Sequence, residues 1–245
     1  GYAIAQGLAA EGARVVITGR MQASVDGALT RLRSAVPGAK AEGIAADCAS
    51  ASGAQQVFDR VPAVDILVNN LGIYERKPFF ELPDADWMRL FEVNVMSGVR
   101  FSRHYAPAMV ARGWGRILFI SSESGLNIPR EMVHYGMTKS AQLSISRGLA
   151  IELAGTGVTV NTVLPGPTRT ENTERLRAER AQAAGMSVSE LEKDFFVTFR
   201  PTSLIKRFTS AEEVANLAVY VCGTLSSATT GAALRAEGGI VNQIM

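Results

Sequence analysis

Ile117-Leu118-Phe119-Ile120-Ser121-Ser122 is the stretch that decides the fold. Successive side chains of an extended segment point to opposite faces, so four apolar residues in a row bury both faces, as in a parallel sheet with helices on each side. The two hydroxyls that follow sit where such a strand leaves the sheet. Working outward, the same rhythm recurs. Tyr2 to Glu11 carries apolar residues at helical spacing (Ile4, Leu8, Ala9) and is closed by Gly12, suited to a left-handed cap. Val15 to Thr18 predicts a strand, Val25 to Val36 a helix, Ala41 to Ala46 a weaker strand ending at Asp47, Ala54 to Arg60 a helix and Ile66 to Val68 a strand. Asp84 to Arg112 predicts a long helix broken near Asn94, and Met132 to Leu153 another. Val158 to Leu164 predicts a strand, Glu212 to Cys222 a helix opened by a capping pattern at Thr209 and Glu212, and Ala232 to Arg235 a last strand. The alternation predicts an α/β fold with a doubly wound parallel sheet.

Between Pro165 and Phe208 the alternation stops. Glu171 to Ala184 is charged and helix-prone, Ser187 and Glu190 form a capping-box pattern, and Phe195, Phe196 and Phe199 cluster after it. This segment, about 167–208, is expected to act as a lid within a single domain spanning 1–245. The length of 245 residues suits one large α/β domain. With 25 Lys and Arg against 23 Asp and Glu, the charge is too balanced, and the basic residues too scattered, for a nucleic-acid partner. The two cysteines, Cys48 and Cys222, lack metal-ligand spacing, so no metal is expected and a reducing, cytoplasmic setting fits. No apolar run is long enough to span a bilayer, and no membrane partner is expected.

The chemistry gathers around Tyr135-Gly-Met-Thr-Lys139, which puts a phenol and an ammonium one helical turn apart on one face. A free tyrosine has a pKa of about 10, and a neighbouring cation stabilises the phenolate and brings it toward the working range of a general acid or base. Ser121 and Ser122 can bring a hydroxyl beside them from the strand end, or can simply cap that end. His104 and His134 carry no role, since His134 adjoins Tyr135 in sequence but not on a helix face. No Gly-x-Ser-x-Gly elbow surrounds Ser122, which argues against a serine hydrolase.

Asp47, Asn69-Asn70-Leu71-Gly72, Asn94, Ser122, Tyr135 with Lys139, and Pro165-Gly166, in this order, resemble the short-chain dehydrogenase/reductase family of Rossmann-type oxidoreductases that use NAD or NADP. The resemblance implies that Tyr135 is the general acid/base and that Ser122, favoured over Ser121 by its spacing, holds the substrate oxygen. It implies that Lys139 binds the nicotinamide ribose and lowers the Tyr135 pKa, and that Asn94 positions a water linking Lys139 to solvent. Asn70, Leu71 and Gly72 would lie along the cofactor, with Leu71 standing where relatives usually have Ala; the amides of this stretch could equally stitch neighbouring elements together. Asp47, followed by Cys48, would accept from the adenine amino group or else cap the next helix. Pro165, Gly166 and Thr168 would hold the nicotinamide carboxamide.

Gly19-Arg20 ends the second strand of such a fold with a guanidinium and no carboxylate, which favours a 2′-phosphate and hence NADP, with NAD the alternative. Gly1 corresponds to the last glycine of the family's phosphate-binding turn, so the first strand and most of the glycine-rich loop are expected to be missing from the given sequence. The implied activity is hydride transfer between nicotinamide and a small carbonyl or alcohol, as in an NADPH-dependent ketone or 3-oxoacyl reductase; a non-catalytic nucleotide-binding sensor is the other reading. Arg76, Arg130 and Arg169 leave room for an acidic substituent on the substrate. Apolar residues on the helix of Tyr135 (Met137, Leu143, Ile145, Leu149, Ile151) exceed one core-facing stripe, and the family pairs such helices, which implies a homodimer or homotetramer.

Overall fold

The computed structural model describes residues 1–244. Its elements in chain order are α1 (Tyr2–Ala10), β1 (Val15–Gly19), α2 (Gln22–Ala35), β2 (Ala41–Ala45), α3 (Ala51–Arg60), β3 (Ile66–Asn69), α4 (Asp84–Phe91), α5 (Ser97–Arg112) and β4 (Gly115–Ile120). They continue with α6 (Val133–Glu152), β5 (Val158–Pro165), α7 (Glu171–Ala183), α8 (Val188–Thr198), α9 (Ala211–Cys222) and β6 (Ala233–Ala236). A single turn of π-helix, Glu92–Met96, joins α4 to α5, so the expected break at Asn94 is a widening of the helix rather than an interruption.

All strand pairs are parallel, β1 with β2, and β3-β4-β5-β6 in that order. Every residue of β4 is buried. Ile117 and Phe119 pack with Tyr105 and Met109 of α5 and with Ala150 of α6. Leu118 and Ile120 face the other way, onto Ile4 of α1 and Val214, Ala218 and Val221 of α9. That two-sided burial is what the run Ile117 to Ile120 dictates, and helices cover both faces as a doubly wound sheet requires. β1 and β3 are only half buried. They are not hydrogen-bonded to each other, and a cavity of about 530 Å³ lies between them, lined by Ile4, Leu8, Val16, Val68 and Phe101.

Gly12 (φ +87°) ends the turn after α1 and Gly113 (φ +70°) caps α5, both in the left-handed region. Two capping expectations shift. Ser50 caps α3, its hydroxyl accepting from the Gly53 N–H at 3.0 Å, whereas Asp47 accepts from the Ala49 N–H at 3.2 Å and stays exposed. Asp47 is therefore not the helix cap. Ser210 and Glu213 form the capping box of α9 in place of Thr209 and Glu212, because the Thr209 hydroxyl is taken up by Thr168 (3.0 Å) and the Pro167 carbonyl (3.2 Å). No described helix is long and apolar enough to cross a membrane. Among the described residues no cluster of His, Cys, Asp or Glu could hold a metal ion.

Candidate active site

The end of β4 delivers the hydroxyl. After Ile120 the chain turns, and Ser122 Oγ accepts from the Ser124 N–H at 3.1 Å. Ser121 points elsewhere and donates to the Lys139 carbonyl at 2.9 Å, which fastens α6 to the strand end. Ser122 is thus the hydroxyl that remains beside Tyr135. The phenol lies in the first turn of α6, and Lys139 follows one turn later with its Nζ 5.6 Å from the Tyr135 ring centre. Lys139 is 4% exposed; its Nζ donates to the Ile120 carbonyl at 2.9 Å and to Gln142 Oε1 at 3.1 Å. In front of Ser122 and Tyr135 lies a cavity of about 620 Å³, walled by Tyr74 and by Leu176, Leu191 and Phe195 of α7 and α8.

Electrostatics differ from the sequence-based expectation in one respect. Burial, with the Glu123 carboxylate adding to it, outweighs the opposing hydrogen bond to Ser122, and the Tyr135 pKa is pushed up to about 12 rather than lowered. Burial likewise pushes Lys139 down to about 7, so its ammonium is only partly charged near neutrality. The cation lies beside the phenol ring and is itself held at the edge of ionisation.

Asn94 also differs. Its Oδ1 accepts from the Ile73 N–H (2.7 Å), and its Nδ2 donates to the Ile73 carbonyl (2.9 Å) and to Thr138 Oγ1 (3.0 Å). Its main-chain carbonyl accepts from Gln142 Nε2 at 2.7 Å. The Gln142 amide joins Lys139 to the Asn94 carbonyl. Gln142, 2% exposed, is a site residue that sequence reasoning passed over, although its position three residues after Lys139 places it on the same helix face.

The residues expected to hold a dinucleotide line one edge of the sheet. Gly1 packs on Asn70, since a Cβ there would come 2.7 Å from Asn70 Nδ2. Gly72 packs beside Lys139 and Asn94, where a Cβ would lie 3.4 Å from Lys139 Nζ and 3.6 Å from Asn94 Oδ1. Asn69 is the stitching amide, donating to Ser102 Oγ of α5 at 3.1 Å, while Asn70 and Leu71 are exposed. The Cys48 side chain is buried against Ile44 and Val57, which leaves only its main chain to meet a cofactor. Arg20 is exposed at the end of β1 and makes no ion pair among the described residues. Gly166, just after Pro165 ends β5, lets the chain approach the Glu237 carbonyl, 2.7 Å from where a Cβ would be. Thr168 Oγ1 donates to the Gly166 carbonyl at 2.8 Å, tightening that turn.

Of the three arginines expected near an acidic substituent, only Arg76 lines the cavity. Arg169 is held by both oxygens of Glu192 at 3.0 Å, and Arg130 is exposed outside the cavity wall. Arg180 of α7 and Arg200 are there instead, the latter buried with its Nε donating to Glu123 Oε1 at 2.8 Å.

A parallel sheet wound on both faces, with serine, tyrosine and lysine converging at the end of a central strand, defines a nucleotide-dependent oxidoreductase of the α/β kind. Residues 1–181 match the short chain dehydrogenase family, and the chain belongs to it. It is 45% identical over 244 residues to the uncharacterised oxidoreductase YvaG of Bacillus subtilis, covering 100% of this chain and 92% of that one. It is 31% identical over 244 residues to the 3-oxoacyl-[acyl-carrier-protein] reductase FabG of Aquifex aeolicus, covering 98% of this chain and 92% of that one. Among solved structures, L-sorbose reductase from Gluconobacter frateurii, complexed with NADPH and L-sorbose, superposes with a TM-score of 0.91 at 29% identity, covering 99% of this chain and 92% of that one.

Proposed function

We propose that this chain is an NADPH-dependent reductase of ketones or 3-oxoacyl compounds. The observation that carries it is the meeting of the Ser122 hydroxyl, the Tyr135 phenol and the Lys139 ammonium, with a cavity of about 620 Å³ opening before the first two. The same fold holds NADPH in the sorbose reductase, and here the exposed, unpaired Arg20 suits a 2′-phosphate. Asp47, Asn70, Gly72 and the turn Pro165 to Thr168 would hold the rest of the dinucleotide, which supplies the hydride when bound. Ser122 then donates to the substrate oxygen and fixes it against Tyr135. Tyr135 gives that oxygen its proton, and Lys139 offsets the negative charge that the phenol would otherwise keep. Burial keeps the Tyr135 phenol protonated at neutral pH, as a proton donor must be. α7 and α8 cover the substrate, and Ile151, 64% exposed on α6, fits a further surface between copies of the chain.

The test is NADPH consumption with a panel of ketones, 3-oxoacyl thioesters and ketoses. Turnover of at least one class is expected. Tight NADPH binding with no turnover of any of them would overturn this reading in favour of a nucleotide-binding sensor.

A further inference from the structure

The cavity before Ser122 and Tyr135 has an uneven charge balance. Arg76, Arg177, Arg180 and Arg200 reach its wall. Against them stand Glu123, Glu192 and Asp194. Glu123 is consumed by Arg200, and Glu192 by Arg177 and Arg169. Asp194 is exposed on α8 and accepts from the Thr198 hydroxyl at 3.2 Å. Arg76 and Arg180 are left over: neither guanidinium makes a hydrogen bond or an ion pair among the described residues. Arg76 comes from the loop after β3 and lies 5.4 Å from the centre of the Phe199 ring, while Arg180 comes from α7 and lines the same cavity.

Arg76 lies in the field of the other cations of the cavity. Burial first, and then the Arg180 and Arg200 charges, make the Arg76 guanidinium less comfortable as a cation, and the Glu131 carboxylate offsets this without coming within ion-pair distance. Like charges brought together from separate elements, with their donors unused, form a receptor for an anion, and guanidinium groups match the two oxygens of a carboxylate or phosphate. Resting on the reductase reading above, we propose that Arg76 and Arg180 select a substrate whose reactive carbonyl is accompanied by an anionic group, a carboxylate or a phosphate, anchored between the loop after β3 and α7 while the carbonyl meets Ser122 and Tyr135.

The experiment compares matched pairs with the NADPH-loaded enzyme: acetoacetate against methyl acetoacetate, a keto-sugar acid against the corresponding ketose, and dihydroxyacetone phosphate against dihydroxyacetone. The charged member of at least one pair is expected to have a kcat/KM at least roughly tenfold higher, and which pair shows this separates carboxylate from phosphate. Arg76→Met and Arg180→Met are each expected to remove most of that advantage, chiefly through KM, and to leave the neutral partner within about twofold. Equal or better turnover of the neutral member in every pair overturns the anion site and leaves the reductase standing, as does an equal loss on both members in the variants. Absence of turnover with every compound in the pairs and in the wider ketone panel overturns the reductase, and the anion site with it.

Discussion

Gln142→Leu is the perturbation that bears most directly on how Lys139 is held. The ammonium has two acceptors, the Ile120 carbonyl and Gln142 Oε1, and leucine removes the second without much change in volume. A hydrogen bond to a charged group is worth on the order of 1.5–3 kcal/mol, or about one to two pKa units. The neutral amine loses less, because it does not depend on a full set of acceptors. A base whose charged form loses support binds its proton more weakly, so the Lys139 pKa, already lowered to about 7 by burial, moves further down. No charged group is among the influences on Lys139. Tyr135 is the titratable group that faces it, while Ile120, Asn94 and Gly72 pack around it without a charge.

Activity that needs a cation beside Tyr135 is present below the lysine pKa and fades above it. For Gln142→Leu the alkaline limb of kcat/KM for NADPH is therefore expected to move down by about one to two pH units, which means a loss near pH 7.5 of roughly eightfold for one unit and roughly 75-fold for two, shrinking to about fourfold or less near pH 5.5. Gln142→Glu puts a carboxylate in the same place and is expected to move that limb up. The leucine variant also strands the Asn94 carbonyl, at a cost of about 1–3 kcal/mol in stability, and a melting curve at both pH values separates that loss from the titration. If the leucine profile is the wild-type profile scaled down, with its limbs unmoved, the reasoning about Lys139 is wrong.

Tyr135→Phe is expected to lower kcat at least tenfold, about 1.4 kcal/mol of barrier, while NADPH affinity by fluorescence titration stays within a few-fold; retention of more than a tenth of the rate excludes Tyr135 as the proton donor. Arg20→Asp should turn cofactor preference toward NADH, because a carboxylate there repels a 2′-phosphate and accepts from a free 2′-hydroxyl, and an unchanged NADPH-to-NADH ratio of kcat/KM makes Arg20 a bystander. Amide exchange between Thr170 and Phe199 should slow when NADPH and a ketone bind together, since α7 buries little apart from Arg177 and Ala181; unchanged exchange there rules out closure.

What the sequence made legible, and what it hid, follows from how each residue earns its place. β4 was readable because burial on both faces demands an unbroken apolar run, Ile117 to Ile120, and Tyr135 with Lys139 because four residues in a helix is a fixed distance. The capping boxes of α7 and α8 were visible at Ser187 and Glu190 but not at Thr170, where Thr173 takes the part usually given to an acid or amide. Gln142 was hidden because a glutamine on a helix reads as solvated; only the crossing of the π-helical turn over α6 brings the Asn94 carbonyl to it and buries it beside Lys139. Arg180 was hidden for the opposite reason: it stays exposed, one of several arginines on α7, and is grouped with Arg76 only because α7 and the loop after β3 line the same cavity. Residues that act by contact within one element can thus be read from spacing alone. Those that act across elements, which here include the candidate determinants of proton control and substrate charge, exist as a site only once α7 and the π-helical turn are in place.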